Sequence, residues 1–208
     1  METVSSALNH VRYQEMDTSK LKLNSLVSTI KSKNLKLIDF CWDGATGDNI
    51  TPPSVEFDEG LPVKFSWEYG SEHGNKLCLS TESSINVQQF ISKVEDRAIA
   101  LASDRSEEIT GSHYDPETIR SFKWFGGQSH LKLSFDPNKC QIYMLDDNDE
   151  LVPESNISKI EKGSMVYPVV SIRRMWFADQ FGITYSADGL AIRKPTPRGF
   201  DFILNAGL

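Results

Sequence analysis

The chain has 208 residues, 39% of them apolar and 10% aromatic, which suffices for one domain with its own core and excludes a globally disordered polypeptide. Its formal net charge of −7 excludes a uniformly basic nucleic-acid binder, and three widely spaced cysteines, Cys41, Cys78 and Cys140, speak against a disulfide framework or a zinc site. No stretch approaches membrane-spanning length and METVSSALNHVRYQ lacks the pattern of a signal peptide, so neither a membrane partner nor secretion is expected.

Residues 1–20 are polar and mixed and read as an N-terminal segment outside the folded core; the domain is expected over 21–195, with a tail at 196–208. Lys33 to Trp42 is apolar on both faces of a strand pattern, which suggests a central, doubly covered strand. Asp43 to Gly60, with Gly44, Gly47 and Pro52-Pro53, reads as a loop. Leu61 to Tyr69 alternates, placing Leu61, Val63, Phe65, Trp67 and Tyr69 on one face. A turn at Gly70 to Asn75 then leads to a partner strand over Lys76 to Thr81.

Ser83 or Ser84 is a candidate N-cap for an amphipathic helix over about 84–103, where Val87, Phe90, Ile91, Val94, Ala98 and Leu101 form one stripe. A second, short helix can start at Asp115-Pro116, with proline at its first position. From Phe122 onward the pattern is β. Leu131, Leu133 and Phe135 alternate with Lys132 and Ser134, Gln141 to Leu145 returns, and Asp146 to Glu150 reads as a solvated hairpin turn. The last two strands are expected over Ser164 to Met175 and Gly182 to Arg193.

No catalytic constellation or cofactor motif is visible. His10, His73, His113 and His130 have no paired metal-ligand spacing, Gly70 to Lys76 is not a P-loop, and the acidic turn lacks the glycine and distant glutamate of an EF-hand loop. The remaining candidates are cations beside aromatics, which suit phosphates and base faces. They are Arg120, Lys123 and Trp124 before Gly126-Gly127, then Lys132, Tyr143, Tyr167, Arg173, Arg174, Trp176 and Tyr185. Strict alternation places Tyr167, Val169, Ser171 and Arg173 on an outer face and Val166, Val170, Ile172 and Arg174 on the core face, with Arg174 near the strand end where its head can reach solvent. Both arginines share a face only if a bulge intervenes. For Trp124 and Trp176 a place in the core weighs as much as base stacking.

The acidity is uneven. Residues 1–40 hold 6 Lys+Arg against 4 Asp+Glu, residues 41–118 hold 5 against 15, and residues 119–208 hold 11 against 10. A local basic strip is compatible with the C-terminal third.

The order Lys162-Gly163-Ser164, apolar strand, Trp176-Phe177, short link, Phe181-Gly182-Ile183-Thr184, amphipathic strand resembles the OB-fold single-stranded DNA-binding proteins of podophages, and more closely their relatives in nucleo-cytoplasmic large DNA viruses. It covers about a quarter of the chain, with weaker similarity through Tyr114 to Arg120 and Lys76 to Ser80. The resemblance implies a mainly β (α+β) fold: an OB-like antiparallel β-barrel with one inserted helix, here the 84–103 segment. It further implies sequence-independent, non-catalytic binding of single-stranded DNA in viral replication or recombination. The implied partners are viral replication proteins or a second copy of the chain, and the implied location is the host cytoplasm or nucleus at replication sites. The chain departs from that family at its end, PTPRGFDFILNAGL, where the family carries a strongly acidic tail; recruitment through such a tail is not expected. A second reading, a virion structural or protein-interaction module on the same barrel, draws on the apolar Phe200-Asp201-Phe202-Ile203-Leu204 segment.

Overall fold

The computed structural model of the protein describes residues 11–25, 27–30, 35–42, 51–67, 75–122, 129–155 and 160–195. The strands are β1 (Val11–Arg12), β2 (Leu21–Leu23), β3 (Ser28–Ile30), β4 (Leu35–Trp42), β5 (Ser54–Glu56), β6 (Leu61–Trp67), β7 (Asn75–Ser80), β8 (His130–Phe135), β9 (Gln141–Leu145), β10 (Leu151–Pro153), β11 (Met165–Phe177) and β12 (Phe181–Arg193). Among the described residues three α-helices, α1 (Ile85–Asp104), α2 (Ser106–Thr110) and α3 (Pro116–Ser121), lie between β7 and β8. The fold is mainly β, as expected. The expectation of a purely antiparallel sheet is corrected, because β12 runs parallel to both β8 and β9, and β1 parallel to β5.

Five strands each pair with two others of the same set. β6, β7 and β8 form an antiparallel meander, β12 joins β8 in parallel, β11 joins β12 antiparallel, and β11 also meets β6 at Met165↔Pro62 and Val166↔Leu61. The Lys162-Gly163-Ser164 corner fixes that last junction. Gly163 sits at φ +89, a left-handed value that favours glycine, and its N–H donates to the Val63 carbonyl at 2.9 Å. The Val63 N–H donates to the Ser164 carbonyl at 2.8 Å. β4 is central, with β2 and β3 on one side and β11 on the other, as its two apolar faces predict.

α1 forms where the apolar stripe predicts it. The Ser84 hydroxyl accepts from the Val87 N–H, satisfying one orphan donor of the first turn. Val87, Phe90, Ile91, Val94, Ala98, Ile99 and Ala102 are all buried against the sheet. Each large apolar side chain buried this way stabilises by about 1.5–3 kcal/mol. α3 begins at Asp115-Pro116, with the Asp115 carboxylate accepting from the Thr118 N–H at 2.7 Å.

Local patterning fails in four places. Residues 11–20 are not peripheral, since Tyr13 is 2% exposed, stacks on Phe57 and donates its hydroxyl to Glu59. The expected loop at 43–60 contains β5, whose Val55 pairs with Val170. A bulge at Lys64 resets the phase of β6, so Phe65 points outward at 46% exposure instead of joining Val63 in the core. Val169 and Ser171, expected on an outer face, are buried: β5 runs alongside them, and Asp188, bulged out of β12, accepts from the Ser171 hydroxyl. The acidic turn behaves as expected, as an Asx-type hairpin in which Asp146 accepts from the Asn148 and Glu150 N–H groups, both at 2.8 Å. The expectations for residues 1–10, the glycine-rich loop at 43–50, the turn at 70–74 and the tail at 196–208 fall outside the described residues.

Candidate nucleic-acid interface

Alternation in β7 and β8 sends Leu77, Leu79, Leu131 and Leu133 into the core and leaves Lys76, Cys78, Ser80, His130, Lys132 and Ser134 on the opposite face. Strand register aligns Phe65, Cys78 and Lys132 in one row and Lys76 with Ser134 in the next. Lys64, on the bulge, pairs with Glu82 at 2.9 Å. Lys76 and Lys132 form no ion pair with another described residue. Burial holds the Lys76 ammonium below the ordinary lysine value, a desolvation that a nearby phosphate would offset. Cys78 is fully buried between these side chains, and burial raises its thiol, so it is an inert filler here. An exposed aromatic ring and two lysines therefore share a curved face with Lys64.

β8 and β12 pair only through Leu133–Tyr185 and Ser134–Ser186. Toward their starts they separate, and a cleft of about 100 Å³ opens between them. It is lined by His130, Lys132, Trp176, Ile183, Tyr185 and, from α1, Glu95. Trp176 lies flat over Gly182, so close that a Cβ on that glycine would collide with the indole at Cζ2 and Cε2. The Gly in Phe181-Gly182-Ile183-Thr184 is thus the seat of the indole. Lys132 belongs to both the open face and the cleft. The Phe122 carbonyl, accepting from the Phe181 N–H at 2.7 Å, brings the end of α3 to the same place.

The sequence-derived candidates do not form one strip. Lys132, Trp176 and Tyr185 meet at the cleft. The expectation of an outward Tyr185 is corrected: it is 9% exposed, shares the buried face with Phe181, and burial raises its hydroxyl far above the ordinary value. Arg173 and Arg174 sit at a bulge, since Ile172 pairs with Tyr185 and Arg174 with Thr184. Both arginines reach solvent, as expected for the head of Arg174, and the bulge takes its side chain off the face of Val170 and Ile172. Both are also engaged. Arg173 donates to Ser186 at 2.7 Å and pairs with Asp188 at 3.4 Å, while Arg174 pairs with Asp39 at 2.9 Å. Tyr143 and Tyr167 flank Ala191, half-buried in a shallow hollow with Phe57 and Leu190. That lies nine residues along β12 from Gly182, roughly 30 Å at the rise of a strand. Arg120 pairs with Asp96 of α1 at 2.9 Å. Lys123 and Trp124 lie outside the described residues. Sequence reasoning missed Phe65 and Lys76 as surface groups; the one available signal was the shared outward phase of Lys76 and Lys132 on neighbouring strands.

Among the described residues no cluster of His, Cys, Asp and Glu has the geometry to hold a metal ion, and no helix is long and apolar enough to cross a membrane. The chain matches no protein-family model and no curated protein.

Proposed function

We propose that the protein binds single-stranded nucleic acid without catalysis, on an OB-type barrel built from β6, β7, β8, β12 and β11. One observation carries this reading: the connectivity. A meander of three strands is followed by a hairpin whose second strand runs parallel to the third of the meander and whose first returns to the first. In OB barrels the second and third strands, with the loops joining strands one to two and four to five, hold oligonucleotides. The counterparts here are β7 and β8, carrying Lys76 and Lys132, beside Phe65. Phe65 offers a face for a base and the lysines neutralise phosphates, with little sequence preference. The net charge of −7 confines such contacts to this local face. Single-stranded DNA of a replicating or recombining viral genome is the substrate that the sequence resemblance adds, with replication proteins or a second copy as partners.

Fluorescence anisotropy with labelled single-stranded and duplex oligonucleotides, repeated across salt concentrations, tests the proposal. Preference for the single strand, falling linearly in log affinity against log salt, is expected. Absence of binding at low salt overturns it. The alternative, a protein-docking module, draws on the edge strand β10, where Val152 is 49% exposed. Concentration-dependent mass in light scattering, lost on Val152→Lys, would favour it.

A further inference from the structure

The cleft between β8 and β12 contains a feature that core packing does not require. The Tyr185 hydroxyl is buried and has no hydrogen-bond partner among the described residues, although Tyr185 lines the cleft. A buried hydroxyl without a partner is costly, and phenylalanine would fill the same space without that cost. Burial, with the Glu95 carboxylate that also lines the cleft, keeps the hydroxyl protonated, so it is available as a donor. The cleft's volume of about 100 Å³ exceeds several-fold the roughly 10–15 Å³ that one water needs on that measure. The indole of Trp176, seated flat on Gly182, and the Lys132 side chain also line the cleft. A planar surface, a hydroxyl donor without a partner and a cation, all on residues that line one cleft, match the three parts of a nucleotide.

Resting on the single-strand reading above, we infer that this cleft is a base pocket. One nucleobase of the bound strand enters between β8 and β12 and stacks on Trp176. It accepts a hydrogen bond from the Tyr185 hydroxyl through a ring nitrogen or carbonyl oxygen, and its phosphate lies at Lys132. Every base presents such an acceptor, so the pocket anchors the strand by a base without selecting a sequence. Lys132 joins the pocket to the β7–β8 face, which makes the two parts of one path.

The experiment compares two labelled oligomers of abasic deoxyribose phosphate, one carrying a single central thymine, on the full-length protein and on Tyr185→Phe. The thymine oligomer is expected to bind the wild-type protein more tightly than the fully abasic one. Tyr185→Phe is expected to lower affinity for the thymine oligomer about tenfold, the worth of one hydrogen bond in a buried site, and to leave the abasic oligomer unchanged. Thermal melting of Tyr185→Phe should be no lower than that of the wild type. Gly182→Ala, which drives a methyl group into the indole, should cost the same preference by another route. Equal binding of the two oligomers to wild type, or an unchanged Tyr185→Phe, overturns the pocket while leaving the lysine face standing. Loss of all binding by both oligomers overturns the single-strand reading and the pocket together. Quenching of tryptophan fluorescence by dTMP but not by 2-deoxyribose 5-phosphate, with no gain from the thymine in the oligomer, would assign the pocket to free nucleotides and overturn its role on a strand.

Discussion

The β6–β7–β8 face and the β11–β12 bulge carry similar numbers of cations, yet among the described residues only the first presents cations without carboxylate partners. On the bulge, Arg173 and Arg174 are each matched to an aspartate, Asp188 and Asp39, on a neighbouring strand. On the β7–β8 face, Lys76 and Lys132 have no such partner among the described residues, and Glu82 is spent on Lys64. The first arrangement fastens strands to one another, and the second is the face on which the proposed single strand would place its phosphates. Adjacent arginines are the more conspicuous feature of the sequence. Their worth to a phosphate is nevertheless the difference between what they gain from it and what they lose by leaving their aspartates.

Reversing charge on the open face is the largest test of that contrast. Lys76→Glu with Lys132→Glu should lower affinity for single-stranded DNA by about a hundredfold or more and reduce the log–log salt slope by about two. Titrations at three salt concentrations give both quantities. A slope that does not change would place the phosphates elsewhere.

The bulge should answer to a different assay. Asp188→Ala leaves three donors without their acceptor: the hydroxyls of Ser54 and Ser171 and the guanidinium of Arg173. Ser171 is 2% exposed, so its loss is not made good by water. A stability loss of about 1–3 kcal/mol is expected, read as a shift in the urea midpoint at constant m-value. Binding by the folded fraction should stay within a few-fold. A variant as stable as the wild type would remove the fastener interpretation.

Phe65→Ala then asks whether the open face offers more than charge. Loss of one stacked base is worth about 1–3 kcal/mol of binding. At 46% exposure the ring contributes little to the core, so the melting temperature should move far less than the affinity. A large drop in stability with unchanged binding would return Phe65 to a packing role.

Much of this architecture is legible in the sequence where the pattern is local and long. The stripe and Ser84 cap of α1, the Asp115-Pro116 start of α3, the alternation of β8, and the positions of β9, β11 and β12 along the chain all survive in the fold. The features that escape depend on partners far along the chain or on a single extra residue. β5 is three residues long and exists because Val55 meets Val170, 115 positions later. The bulges at Lys64 and Arg173 invert the phase of the residues beyond them and so turn Phe65 and Arg174 outward, while Ser171 is buried beside β5 with the bulged Asp188 as its acceptor. Alternation gives Tyr185 its correct neighbour, Phe181, but its hydroxyl suggests an outward ring where the pair is buried. The parallel pairing of β12 with β8, and the cleft it opens, has no local signature at all.

The smallest effect separates the two regions most finely. Arg174 and Asp39 are 41% and 49% exposed, and an ion pair at that exposure contributes at most about 1 kcal/mol to stability. Arg174→Ala should therefore barely move the urea midpoint. If the pair is only a fastener, the variant should also leave affinity for single-stranded DNA within about twofold. Asp39→Asn supplies the converse: it keeps the shape of the pair but frees the guanidinium for a phosphate. A rise in affinity and a steeper salt slope in Asp39→Asn, absent in Asp39→Asn with Arg174→Ala, would mean that the strand passes the bulge and that Asp39 competes with it. No change in either confines the strand to the β6–β7–β8 face and the adjoining cleft, and leaves the arginines to hold β4, β11 and β12 together.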